Sequence, residues 1–309
     1  MATAGDGNSP MDSNNTPKAI AMPFTLMKLA YFACDPKSRE FYNTKSFGVR
    51  VDLQECCKFL MAPGDKQQVS RPKYDDDNIT DVCSVAAFNG HLDCLKQAHV
   101  AGIPWNWRTT EVACRSGHIE CLMYVHSNGC ETGGYVSALA AACAGNIGTL
   151  EYAWIHKFKF PHNLCTLIAR FGSIESLRYL RSLGFSWNTS TAAEAARFNQ
   201  LEFLKYLHQH GCPWDATTCY LAAQNGNLEC LKYAHTNGCE WDMRTCHGAA
   251  QFGYIRCLKY AHSNGCEWNI LTTLMAAINK QHRCFRYAIR NGCPWPTWLT
   301  WESLSERIQ

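Results

Sequence analysis

Cysteine and histidine recur together in this chain at a spacing that invites a metal-binding interpretation. Cys121, His126 and Cys130 form a C-x4-H-x3-C string, and two later strings repeat it: Cys230, His235, Cys239 and Cys257, His262, Cys266. Zinc needs four ligands within about 2.3 Å of the ion. On a helix, a separation of five residues turns two side chains apart, so the Cys and His of one string do not share a face. We therefore expect no metal site, and interpret the cysteine as a buried spacer and the histidine as a hydrogen-bonding side chain.

The same residues supply the parts of a Cys-His nucleophilic pair. No segment breaks the repeating pattern as a catalytic motif would, and the sequence has no phosphate-binding loop or dinucleotide glycine fingerprint. We expect a protein that is not an enzyme and that has no cofactor. The 19 cysteines are odd in number, which favours reduced thiols over a disulfide framework and predicts a cytoplasmic protein.

Charge and hydropathy argue against two classes of partner. The 309 residues carry a net charge of only +3, which gives no general attraction to nucleic acid or to an anionic membrane, so either partner would need a local basic patch. The apolar stretch 19–34 is interrupted by Pro23 and Lys28, and no run reaches the roughly 18 apolar residues of a membrane helix. We expect neither nucleic acid nor membrane as a partner.

A tetrad of the form Gly-x-x-aromatic reveals the elements that carry these side chains. It ends in tryptophan at six places: Trp105, Trp187, Trp214, Trp241, Trp268 and Trp295. From Gly184 to Gly292 the spacing is 27 residues every time. The tryptophans could form a stacking platform for single-stranded nucleic acid, but that platform would also require a basic groove, so we interpret the row as packing in the turns.

Two helical segments make up each 27-residue unit. LECLKYAHTNG, from Leu228 to Gly238, places apolar residues three apart along one face and recurs in other units as the second helix. DATTCYLAAQNG, from Asp215 to Gly226, is the first helix, with Asp215 as its N-cap. The same capping position holds Asn106, Asn188, Asp242 and Asn269. Such units bury their apolar faces only by stacking, which predicts an all-α solenoid of stacked antiparallel helix pairs.

The spacing of small residues within a unit resembles that of the ankyrin repeat family. Ala86, Ala87, Gly90, His91 and Gly102 reproduce the Ala pair, the Gly-His turn and the closing glycine of that family. The connector is six residues shorter than usual, so the array is similar to the short class with a trimmed β-hairpin, found in large DNA viruses and unicellular eukaryotes. The resemblance implies a monomeric protein-binding scaffold, which in such lineages could be delivered to a host cell.

The repeats divide the chain into four parts. We predict a disordered tail over residues 1–18, a degenerate leading repeat or N-terminal cap with an acidic loop over 19–78, eight repeats over 79–292 and a capping helix over 293–309. An alternative for residues 22–60 is an adaptor-binding module such as an F-box. That alternative would make the protein a substrate-recognition adaptor of a ubiquitin ligase.

One surface position varies while its neighbours keep their identity. It follows the Ala pair of each unit, and its arginines and glutamines are Arg115, Arg170, Arg197, Gln224 and Gln251. The ankyrin resemblance implies that the first helices line a concave side, where these residues would align as a basic to polar stripe. We expect this stripe to bind an acidic segment of a protein partner, with a nucleic-acid-binding solenoid as the weaker alternative.

Overall fold

The computed structural model describes residues 81–296, which form sixteen α-helices and no strand within that range. They alternate as eight pairs. The first helices are α1 (Val82–Phe88), α3 (Trp107–Ser116), α5 (Val136–Ala144), α7 (Leu164–Ile168), α9 (Thr189–Arg197), α11 (Ala216–Gln224), α13 (Met243–Gln251) and α15 (Ile270–Ile278). The second helices are α2 (Leu92–Val100), α4 (Ile119–Ser127), α6 (Ile147–Ile155), α8 (Ile174–Ser182), α10 (Leu201–Gln209), α12 (Leu228–Thr236), α14 (Ile255–Ser263) and α16 (His282–Arg290). The all-α solenoid is confirmed.

Six of the eight described first helices begin at a capping side chain; α5, which follows Tyr135, and α7 do not. The Asp215 carboxylate accepts a hydrogen bond from the Thr217 amide at 2.9 Å, and Asn106 accepts one from Arg108 at 2.8 Å. Asn188 and Thr191 form a reciprocal capping box at the start of α9. These side chains satisfy amides that have no partner in the first turn of a helix, which fixes where each helix starts.

The fourth pair departs from this pattern because Pro161 occupies its capping position. Proline has no side-chain oxygen to accept a hydrogen bond, and the helix begins later, at Leu164, without a capping contact from Asn163. The resulting α7 has five residues, where the first helices on either side of it have nine. Its short length leaves Arg170 just beyond the helix end.

The core is a continuous layer between the pairs. Ala222 and Ala223 of α11 are fully buried, and so are Cys230 and Leu231 of α12. Neighbouring first helices approach each other more closely than neighbouring second helices do, because their facing alanines occupy little volume. The stack of described pairs therefore curves with its first helices on the concave side.

Several predicted features lie outside the described residues. These are the tail over residues 1–18, the leading repeat or adaptor-binding module before residue 79, and the end of the capping helix predicted over 293–309. They stay predictions. Among the helices of residues 81–296, none is long and apolar enough to cross a membrane.

Candidate functional site

The variable column lies along the ends of the first helices. Arg197, Gln224 and Gln251 are the last residues of α9, α11 and α13, and Arg115 lies in the last turn of α3. The column therefore runs along the concave side of the described stack. Its members differ in what they contact, which the sequence did not reveal.

Two of the three arginines in the column form ion pairs with carboxylates of their own helices. Arg115 Nε lies 3.4 Å from a Glu111 oxygen and its side chain is 28% exposed. Arg197 lies 3.3 Å from a Glu194 oxygen. Much of their charge is therefore balanced within the chain.

Arg170 differs because its guanidinium lies against aromatic rings and not against a carboxylate. Its guanidinium lies 4.9 Å from the Phe198 ring centre and 5.8 Å from that of Phe171. The Arg197 guanidinium also contacts the Phe198 ring, 5.3 Å from its centre. No carboxylate of residues 81–296 lies within ion-pairing distance of Arg170, which is exposed. We call Arg170, Phe171, Arg197 and Phe198 the Arg170 cluster.

A thiol borders this cluster. Cys143, at the variable position of the preceding pair, has a pKa raised to about 12 because burial disfavours the thiolate, and the nearby Arg170 only partly opposes that effect. The thiol is therefore protonated at neutral pH and supplies no negative charge to balance Arg170.

A groove of about 330 Å³ lies further along the same side. Its lining residues are Tyr220, Arg244, His247, Gly248, Gln251, Leu271 and Met275. Gly248 stands where the neighbouring pairs carry Leu221 and Met275. A β-carbon at this position would lie 3.1 Å from side-chain atoms of Tyr220 and Gln224, so the glycine allows α11 to pack closely beside the groove. The sequence does mark this place, because Gly248 lies inside a helical segment. Glycine there is unfavourable for helix formation and calls for a packing or functional reason.

The tryptophan row is packing, as the sequence indicated. Trp241 stacks on His235 with ring centres 3.7 Å apart, and His235 Nδ1 is 3.1 Å from the hydroxyl of Tyr260 in the next pair. Three other units repeat this His-Trp-Tyr cluster, around His99, His208 and His262. The tryptophans therefore join one pair to the next.

The Cys-His-Cys strings direct their side chains to separate places. Cys230 Sγ is 3.7 Å from Asn199 Oδ1, His235 contacts Tyr260, and Cys239 Sγ donates to the Asp215 carbonyl oxygen at 3.2 Å. Across residues 81–296, no three Cys, His, Asp or Glu side chains are placed to share a metal ion. The described cysteines are free thiols and all except Cys143 are buried. The buried ones act as small core residues, and several, such as Cys239 and Cys266, also donate to a backbone carbonyl oxygen.

These features define a class of protein, a helix-pair solenoid with a variable concave side. Residues 191–235 match the family model described as ankyrin repeats (many copies), a segment that runs from α9 into α12. The same helix pair recurs on both sides of this segment, so the described pairs are similar to ankyrin repeats. The chain's resemblance to the arrays of large DNA viruses and unicellular eukaryotes stays a prediction.

The chain was also compared with solved structures and with curated proteins. The crystal structure of the human ASB11 ankyrin repeat domain is 19% identical to this chain over the aligned part, which covers 51% of this chain and 84% of that chain with a TM-score of 0.42. At that level the likeness carries no argument about function. A search of curated proteins gave no match.

Proposed function

We propose that this protein is a scaffold that binds an acidic segment of a protein partner along its concave side, centred on the Arg170 cluster. The observation that carries the proposal is the exposed guanidinium of Arg170 between two phenylalanine rings, with no carboxylate partner among residues 81–296. A carboxylate of the partner would supply the missing counter-charge, and Arg can bind it through two parallel hydrogen bonds.

The cluster also offers an apolar surface beside its charge. Phe171 is 54% exposed, so its ring adds an aromatic anchor of the kind that contributes most to protein interfaces. Arg197 stays partly neutralised by Glu194. We therefore assign Arg170 and Phe171 as the main contacts and Arg197 as a supporting one.

The groove at Gly248 fits a second anchor of the same partner. Between α9 and α13 lie two helix-to-helix steps of about 8–10 Å each, a distance that about six residues of extended chain would span. Gln251 lines this groove, and Gln224 lies beside it, where its amide donates to the Tyr220 hydroxyl at 2.8 Å. An apolar partner side chain would pack against Leu271 and Met275, which line the groove.

Binding rather than catalysis is supported by the state of the thiols. Burial raises the pKa of Cys121 and of Cys257 to about 11, so these cysteines are protonated and poorly nucleophilic at neutral pH. Buried free thiols also suit a reducing compartment, and we propose that the protein acts in the cytoplasm as a monomer.

The test is capture of partners from native extract on the immobilised full chain. Three proteins are compared by quantitative mass spectrometry: the parent, Arg170→Glu with Arg197→Glu, and Arg256→Glu with Arg283→Glu, which has the same charge change on the second helices. The proposal predicts a protein that the parent and the second-helix variant retain and the Arg170 variant loses. All three proteins must have the same melting temperature for the comparison to count. The proposal is overturned if all three retain the same proteins equally, or if the parent retains no protein that the Arg170 variant loses.

A further inference from the structure

The second residue of the second helices changes charge along the stack. It is acidic in five of the described pairs: Asp93, Glu120, Glu175, Glu202 and Glu229. In α14 and α16 the same position holds Arg256 and Arg283. The charge of the outer side therefore changes at the seventh pair.

In the middle of the stack this acidic residue neutralises a lysine three residues later. Lys205 Nζ lies 2.7 Å from a Glu202 oxygen, and Lys232 Nζ lies 2.9 Å from a Glu229 oxygen. The hydrogen bond with Glu202 raises the pKa of Lys205. In the last two pairs, Lys259 and Arg286 occupy the position of these lysines, but the residue three positions before each is Arg256 or Arg283. An arginine cannot neutralise them.

The result is a continuous cationic surface. Lys259 Nζ lies 5.6 Å from the ring centre of Tyr287 in α16, which brings the cations of the two helices side by side. Positions 283, 286 and 290 of α16 lie three and four residues apart and share one side of the helix. We call this surface the outer basic patch, made of the exposed Arg256, Lys259, Arg283, Arg286 and Arg290.

Arg256 and Arg283 oppose the dipoles of their helices, whereas Arg290 lies in the last turn of α16, where a cation is favourable. The first turn of a helix carries a partial positive charge and favours an acidic residue, yet the first turns of α14 and α16 hold arginine and no acid. No carboxylate of residues 81–296 forms an ion pair with any of the five cations. A bound anion would supply the missing negative charge at the N-terminal ends of α14 and α16.

We propose that the outer basic patch binds the phosphodiester backbone of a nucleic acid, without reading its bases. The five side chains are all cationic, whereas the centre of a protein interface is poor in charge and needs apolar anchors. Four of the five are arginines, whose planar fork matches a phosphate group. The net charge of +3 gave no reason to expect such a partner. The change from acid to arginine at the second residue of α14 and α16 nevertheless concentrates cations in one place.

The experiment is fluorescence anisotropy of the full chain with a duplex of about 20 base pairs, as DNA and as RNA, between about 50 and 200 mM salt. For duplex DNA, five phosphate contacts predict a slope of about −4.5 when the logarithm of the association constant is plotted against the logarithm of the salt concentration. Arg256→Glu with Arg283→Glu restores the glutamates of the other pairs, so the fold is kept. This variant is expected to lose about tenfold or more in affinity and to flatten the slope by about 2.

Arg170→Glu with Arg197→Glu is the matched control, because it changes the net charge equally on the concave side. It should bind the duplex nearly as the parent does. Equal binding by the parent and the Arg256 variant, or equal losses in both variants, would overturn the proposal. Tighter binding to poly-glutamate or to vesicles of phosphatidylserine than to the duplex would also overturn it. The concave-side proposal stands or falls separately, because its capture experiment depends on the other variant.

Discussion

At the scale of single residues, three buried threonines carry an unsatisfied hydroxyl. Thr218, Thr245 and Thr272 are fully buried at the same position of α11, α13 and α15, and their Oγ atoms have no hydrogen-bond partner among residues 81–296. The equivalent Thr191 of α9 is different, because its hydroxyl accepts from the Asn188 amide at 3.2 Å and lies 3.0 Å from the Thr166 hydroxyl.

This contrast predicts opposite effects of one substitution. Thr218→Val replaces a buried hydroxyl that lacks a partner by a methyl group of similar size, so the free energy of unfolding should rise by about 1 kcal/mol. Thr191→Val removes real hydrogen bonds and should lower it by about 1 kcal/mol. Urea unfolding of both variants measures the difference, and a loss of stability in Thr218→Val would contradict the assignment.

Histidine protonation gives a second prediction at this scale. Burial lowers the pKa of His235 below its ordinary value of 6.5, so the unfolded chain binds a proton more readily than the folded one. The contribution of His235 to stability is therefore fully present above about pH 6.5 and is lost as the pH falls below that value. His235→Gln should show a smaller fall in urea midpoint between about pH 7.5 and 5.5 than the parent. An equal or larger fall would refute the assignment.

At the scale of elements, the outer basic patch makes a prediction about stability as well as binding. Arg256→Glu and Arg283→Glu together place an acid in the first turns of α14 and α16 and recreate the pairing seen between Glu229 and Lys232. The free energy of unfolding should rise by about 1 kcal/mol at low salt. The gain should shrink in about 1 M salt, where charges are screened; a decrease in stability, or a gain that ignores salt, would contradict this account.

The element boundaries show what the sequence could and could not predict. The capping residues Asn106, Asn188 and Asp215 marked helix starts correctly because an N-cap acts through its immediate neighbours. The delayed start of α7 was missed, although Pro161 signalled it at the capping position. The groove at Gly248 also escaped the sequence analysis, because it depends on what Tyr220 and Met275 of neighbouring helices leave open.

At the scale of the whole molecule, periodicity predicted the stack but not its charge. A unit of 27 residues has to bury its apolar faces against its neighbours, so the solenoid followed from spacing alone. The stripe of arginines was treated as uniform, whereas Arg115 and Arg197 are paired within the chain and Arg170 is not. Pairing depends on side-chain contacts, which the residue at one column position does not determine.

The measurement that tests the central claim most directly is site-specific photo-cross-linking to the captured partner. A benzophenone side chain replaces Phe171, which is 54% exposed on the concave side, and in a matched protein it replaces Ile155, which is 64% exposed at the end of α6. Binding along the concave side predicts a cross-linked partner from position 171 and none from position 155. Cross-linking from position 155 alone, or equally from both, would show that the partner does not bind the concave side.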